Sequence, residues 1–269
     1  MTDMLKRSIA PVTSEAWGEI DEAAVQVLRT HLTARTLVDF DGPFGWELGA
    51  VNLGRLEVGK KKAPHDVPWG LRQVRPLIEA RIGCQVAQME LDSITRGAED
   101  ADLDSVEKTA HQIALFEEAV IYNGFKDAQI EGIIPASSHK AIGLPGNADE
   151  YHRAVVEAAE TLRAAGVAGP YALVLGPDAH AELMKAGKGS YPPRRMVRDV
   201  ADGGIFRSPA LAGGALISTR GGDYRMTVGQ DIAIGYASHD REKVELFFTE
   251  SFTFRVIEPG AAVELKASG

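Results

Sequence analysis

A run of apolar residues at helical spacing constrains this chain more than any other feature. Leu103, Val106, Ala110, Ile113, Phe116 and Val120 fall on one face of a helix that ends near Tyr122. At 1.5 Å per residue, a helix of roughly 18 residues spans about 27 Å, enough to cross a whole domain. Asp104 is placed to cap its amino end, with Glu107 three residues on as in a capping box. Asn123-Gly124 supplies a residue tolerant of positive φ just past the last turn. Such a helix can serve as a spine, but a spine does not specify an activity.

A second amphipathic helix opens at Thr13, a cap, and presents Trp17, Ile20, Ala24, Val27, Leu28 and Leu32 on one face before ending near Arg35. Thr36 to Phe40 reads as strand, followed by the turn signal Asp41-Gly42-Pro43. Between Gly45 and Arg75 the texture changes. Short apolar patches (Trp46, Leu48, Val51, Leu53, then Leu56 and Val58) flank the tip Gly59-Lys60-Lys61-Lys62-Ala63-Pro64, which predicts a long hairpin with a solvated, positive end. About 30 residues with so little globular patterning fit poorly inside a compact core, and an arm laid on a neighbouring subunit accounts for them.

Pro76 to Asp92 reads as extended, Ile133-Ile134-Pro135 closes the first half, and Ser137 to Asn147 reads as loop. From Asp149 a helix with Tyr151, Val155, Ala158, Leu162 and Ala165 runs to Gly166. Pro170 to Leu175 follows as a short buried strand, and Asp178 can cap a helix to Lys185. This block is an α/β lobe bounded by Pro135 and by Gly221-Gly222. Beyond it the pattern is β, in four pieces: Tyr224 to Val228, Ile232 to Tyr236, Val244 to Phe248 and Phe252 to Ile257.

The 269 residues can bury a large core. With 29 basic and 38 acidic residues the net charge is −9, which opposes nucleic-acid binding unless basic residues gather on one face. One cysteine, Cys84, excludes an intrachain disulfide and fits a reducing compartment. Neither a secretory h-region nor an apolar run of membrane-spanning length occurs, so a soluble cytoplasmic protein without a membrane partner is expected.

Catalytic patterns are absent. Gly187-Lys188-Gly189-Ser190 lacks phosphate-loop spacing and reads as a surface loop, and there is no G-x-S-x-G elbow. His111 with Glu107, Glu117 and Glu118 lacks the second Glu-x-x-His helix that a carboxylate-bridged metal pair needs, so these are expected to be solvent-facing and no metal site is assigned. Cys84 reads as a small core residue.

Four stretches together resemble the encapsulin shell proteins, relatives of tailed-phage capsid proteins. They are Leu5 to Thr13 with Trp17 and Glu19-Ile20-Asp21; Val38-Asp39 with Gly42 to Glu47; Phe116 to Gly124; and Gly169-Pro170-Tyr171 with Arg220 to Asp223 and Gly229 to Tyr236. Their order and spacing run essentially end to end. The resemblance implies an α+β, HK97-type phage capsid fold with a peripheral domain, an extended E-loop and an axial domain. On this chain the divisions are 1–44 (peripheral, with the N-terminal helix), 45–75 (E-loop), 76–135 (peripheral, with the spine), 136–221 (axial) and 222–269 (peripheral). It further implies no enzymatic activity and self-assembly of sixty copies, or larger multiples, into an icosahedral shell. That shell would enclose a cargo enzyme, a ferritin-like iron-storage protein or a dye-decolourising peroxidase, held by a short targeting peptide.

By position, the resemblance carries peptide binding onto Leu28, Arg35, Asp39, Asp231 and Ile232. The competing reading makes Leu28 plain core and pairs Arg35 with Asp39. Lys188, Gly189, Ser190 and Tyr191 match the loop that lines the five-fold pore. Some family members bind flavin at a Trp just before the Glu-Leu-Asp matching Glu90-Leu91-Asp92; here that residue is Met89, and no cofactor is expected. The rival reading is a prophage major capsid protein that packages DNA, which the −9 charge disfavours.

Overall fold

The computed structural model describes residues 3–60, 63–187 and 192–267. In chain order the helices are α1 (Ser14–His31), α2 (Gln88–Thr95), α3 (Asp104–Asn123), α4 (Ile133–Ala136), α5 (Tyr151–Ala164), α6 (Pro177–Lys185) and α7 (Pro193–Val200). The strands are β1 (Asp39–Asp41), β2 (Ala50–Val58), β3 (Gly70–Pro76), β4 (Ile78–Ala87), β5 (Ile142–Leu144), β6 (Tyr171–Leu175), β7 (Gly204–Arg207), β8 (Gly214–Ser218), β9 (Tyr224–Val228), β10 (Ala233–His239), β11 (Lys243–Val256) and β12 (Ala262–Ala267).

The spine is α3. Its register is the one the apolar stripe dictates, but its cap differs: Leu103 is the N-cap residue and Asp104 is already helical. Asp102 does the capping work instead, accepting from the Asp104 N–H at 3.1 Å. Gly124 ends the helix at φ 81°, where a Cβ would meet the Gly132 nitrogen at 2.7 Å and the Ile130 carbonyl at 2.8 Å.

The halves of α3 serve two cores. Val106, Ala110 and Ile113 pack with Ala16, Trp17 and Ile20 of α1 and with Leu246 and Phe248 of β11. Val120, Ile121 and Tyr122 pack instead with α5, with the buried strands β6 and β8, and with Phe252 and Phe254.

One sheet has the order β1-β9-β11-β10, with β4 also on β11. β11 is a single strand of 14 residues, not the two short strands expected. Its first ten residues pair with β4 and its last five, from Phe252, with β9. The N-terminal segment adds to the β10 edge through the Leu5 carbonyl, which accepts from the Tyr236 N–H at 2.8 Å. A second sheet runs β5-β12-β8-β6-β7. The expected axial span, 136–221, supplies four of its strands, and β12 arrives from beyond it.

Four further local expectations change. α1 stops at His31, and Arg35 sits in a separate 3-10 turn, Ala34–Thr36. The segment read as extended to Asp92 turns helical at Gln88. Part of the expected loop before Asn147 forms β5, which pairs with β12. Gly176, rather than Asp178, occupies the N-cap of α6.

Candidate functional site

The paired strands of the expected hairpin arm form, while Lys61 and Lys62 of its positive tip lie outside the described residues. β2 and β3 pair with each other alone, antiparallel, with an irregular register between Asn52 and Leu56. Among the described residues no element covers them, so Leu56, Val58 and Leu71 stay 60, 68 and 61% exposed. Val67, Trp69 and Val74 are also exposed. Apolar side chains concentrated on a two-stranded ribbon mark a contact surface, since an isolated hairpin has too little burial of its own.

The second feature lies at the junction of the two cores. Glu117 and Glu118 of α3 are fully buried, which corrects the expectation that they face solvent. Glu117 receives the Arg35 guanidinium bidentately, with Nε at 2.8 Å from both carboxylate oxygens and Nη2 at 2.5 Å from Oε2. The other Arg35 nitrogen, Nη1, donates to Asp231 Oδ1 at 2.6 Å. Glu118 accepts from the Ala34 N–H at 2.6 Å, from Thr33 Oγ1 at 2.8 Å and from Ser208 Oγ at 2.6 Å. Through those three bonds it ties the turn after α1 and the segment after β7 to the spine.

Glu250, on β11, is the third buried carboxyl; its Oε2 lies 3.6 Å from Arg35 Nη2, and neither oxygen has a hydrogen-bond partner. Burial, then the negative charge of Glu117, raises its pKa well above the usual carboxylate range despite Arg35. Its neutral form is thereby favoured over the carboxylate. Burial also raises Glu118, against its three hydrogen bonds. Burial alone would lower Arg35, yet Glu117 and Asp231 overcome that and hold it above the ordinary arginine value.

These contacts bring some expected peptide-binding residues together and separate others. Arg35 meets Asp231 directly but does not pair with Asp39, which overturns the competing Arg35–Asp39 reading. Asp39 instead accepts from the Gly222 N–H at 2.7 Å, holding a turn in which Gly221 and Gly222 both sit at φ 84°. Leu28 and Ile232 are half-buried at the rim of the α1 core, and Val25, about one helical turn before Leu28, is exposed. The expected pore residues Lys188, Gly189, Ser190 and Tyr191 lie outside the described residues.

Met89 is exposed in the first turn of α2. Cys84 is buried, and burial pushes its thiol up to about 11 despite a hydrogen bond to Thr109. His31 and His111 contact edge to face at 4.4 Å, but no group of three metal-ligating side chains occurs among the described residues. No helix among them is long and apolar enough to cross a membrane.

Sequence reasoning missed the buried Glu117, Glu118 and Glu250, although a signal existed for two. Glu117 falls in the register of the apolar stripe, between Ile113 and Val120. Glu250 interrupts the alternation Leu246, Phe248, Phe252, Phe254 on the helix-facing side of β11.

Comparison with known proteins agrees in sequence and in fold. The family model described as "encapsulating protein for peroxidase" matches residues 1–253. A type 1 encapsulin shell protein of Rhodospirillum rubrum is 42% identical over 272 aligned positions, covering 99% of this chain and 97% of the relative. The crystal structure of a virus-like particle from Pyrococcus furiosus superimposes with a TM-score of 0.68 at 16% identity, covering 94% of this chain and all of that one. The capsid of Myoviridae phage XM1 gives a TM-score of 0.57 at 14% identity, covering 88% and 92%. The last two likenesses concern the fold.

Proposed function

This chain belongs to the encapsulin family of shell proteins and forms a capsid-like cage, and from that premise we propose that the cage holds a cargo enzyme through a short targeting peptide. The observation that carries the assembly reading is the hairpin arm, whose apolar side chains are buried only when a neighbouring copy covers them. Sixty copies or a larger icosahedral multiple is the closed arrangement proposed, in the cytoplasm.

For the cargo site, the apolar rim made by Val25, Leu28 and Ile232 is open to a peptide, and Asp231 beside it keeps a partly exposed carboxylate. The peptide would lay alternate apolar residues along that rim. Arg35 contributes by holding Asp231 in place, because its guanidinium already faces Glu117. The family description names a peroxidase as what its members encapsulate, which favours that cargo over a ferritin-like one.

The test is co-expression with a fluorescent protein carrying the targeting peptide of a candidate peroxidase. Fluorescence should co-purify with the particles, fall when the peptide is deleted and fall in Leu28→Asp or Ile232→Asp shells. Equal retention with and without the peptide would end the docking reading. Particles with the absorbance ratio of packaged nucleic acid would instead favour a DNA-holding capsid.

A further inference from the structure

Four guanidinium groups converge where the arm joins the first sheet. Arg225 of β9 and Arg255 of β11 are direct cross-strand neighbours. Both lie on the face opposite Met226 and Phe254, which point into the core, because side chains alternate along a strand. Arg55 and Arg75 reach the same place from the arm. Arg55 sits in the irregular stretch of β2, and Arg75 stands near the end of β3, opposite Val51. Burial and then the positive charges of Arg225, Arg75 and Arg55 lower the pKa of Arg255.

Little inside the chain neutralises this group. Arg225 Nε lies 3.4 Å from Asp41 Oδ2, the single carboxylate within ion-pair distance of any of the four among the described residues. Arg75 donates through Nη1 to the Gln129 carbonyl, while its buried Nε has no partner. Like charges placed directly opposite on a sheet are destabilising. Over the whole chain the balance reverses, with 38 acidic against 29 basic residues and a net charge of −9. A neighbouring copy therefore brings carboxylates in excess, and the guanidinium fork is the group best shaped to take them.

We propose that Arg55, Arg75, Arg225 and Arg255 form a docking surface for acidic side chains of a second copy of this chain, engaged when the arm lies on its neighbour. The inference rests on the shell reading and adds an electrostatic latch at the root of an arm whose apolar ribbon supplies the rest of the contact. Exposed charges act over about 10 Å at 0.1 M salt, so the latch should be sensitive to ionic strength.

The experiment measures the fraction of closed particles by mass photometry, against denaturant, at about 50 mM and about 1 M salt. Wild-type shells should need less denaturant to come apart at the higher salt. Arg55→Gln/Arg255→Gln shells should come apart earlier at low salt and lose most of the salt dependence, while Arg55→Lys/Arg255→Lys should restore it. Circular dichroism of the dissociated variants should match the wild type, which separates a lost latch from a lost fold. Gln and wild-type shells with the same midpoints and the same salt dependence would overturn the inference while leaving the shell reading intact. It would also be overturned if wild-type particles carried nucleic acid that the Gln variant lacked, since the patch would then serve a polyanion. Failure of the wild type to form particles would strike the shell reading itself.

Discussion

The hairpin arm and the polar junction on the spine invert the usual distribution of side chains in opposite directions. On the arm, Leu56, Val58 and Leu71 stand in solvent. At the junction, Glu117, Glu118 and Glu250 are at most 1% exposed. The resolution differs too. Glu117 and Glu118 find Arg35, Thr33, Ser208 and a backbone N–H within the chain, and Glu250 lies 3.6 Å from the same Arg35 without a hydrogen bond. The exposed apolar residues find no such cover among the described residues. An inversion satisfied internally fixes the fold, whereas one left open defines an interface, and the two should respond differently to substitution.

The largest effect is expected on the arm. Leu56→Asp/Leu71→Asp should abolish closed particles, because it places charge in the contact, yet leave the folded monomer intact by circular dichroism, since surface changes cost about 0.5 kcal/mol or less. Particles that still form would break the comparison at its first term.

At the junction the order reverses. Arg35→Ala should destabilise the chain by about 3–5 kcal/mol, the cost of leaving a buried carboxylate without its partner. Urea unfolding in the unassembled Leu56→Asp/Leu71→Asp background reads this without coupling to assembly. A loss of under about 1 kcal/mol would mean that the pair is solvated. The same result bears on cargo studies: loss of cargo in an Arg35 variant would report on the fold as much as on docking.

Glu250→Gln sharpens the electrostatic part. A carboxyl whose pKa is raised in the folded state binds a proton more tightly there than in the unfolded chain, where Glu titrates near about 4.3. Its stabilising contribution is therefore fully present below that value and is lost as pH rises through the folded pKa. Wild-type stability should fall as pH rises above the unfolded Glu value, and the Gln variant should fall less. Parallel pH profiles for the two would show that Glu250 is not the titrating group. The smallest effect is expected for Asp39→Ala, which removes one partly solvated hydrogen bond to Gly222 and should cost about 1 kcal/mol in the same urea assay.

Much of this architecture was legible in the sequence, for identifiable reasons. The spine and α1 were found because their apolar faces follow the helical period, and the arm because that period disappears. What was lost lay where local pattern and tertiary context disagree. Thr249-Glu250-Ser251 looks like a break between strands, yet all three are buried in one continuous β11. The stretch from Pro193 to Ser218 holds α7, β7 and β8, unmarked because β8 is buried on both faces and shows no alternation. Glu117 and Glu118 read as surface charge because Arg35 and Thr33, their partners, lie more than 80 positions away in sequence. The polar junction was legible only in part: the resemblance pointed to Arg35 and Asp231, which the structure joins, but not to Glu117, which receives Arg35.

The most direct test is the mass and shape of the chain expressed alone, by mass photometry and negative-stain electron microscopy, beside Leu56→Asp/Leu71→Asp. Closed, uniform, hollow particles for the wild type and folded monomers for the variant are the predicted result. Closed particles from both, or monomers from both, would contradict the claim that the arm's exposed apolar face is what joins one copy to the next.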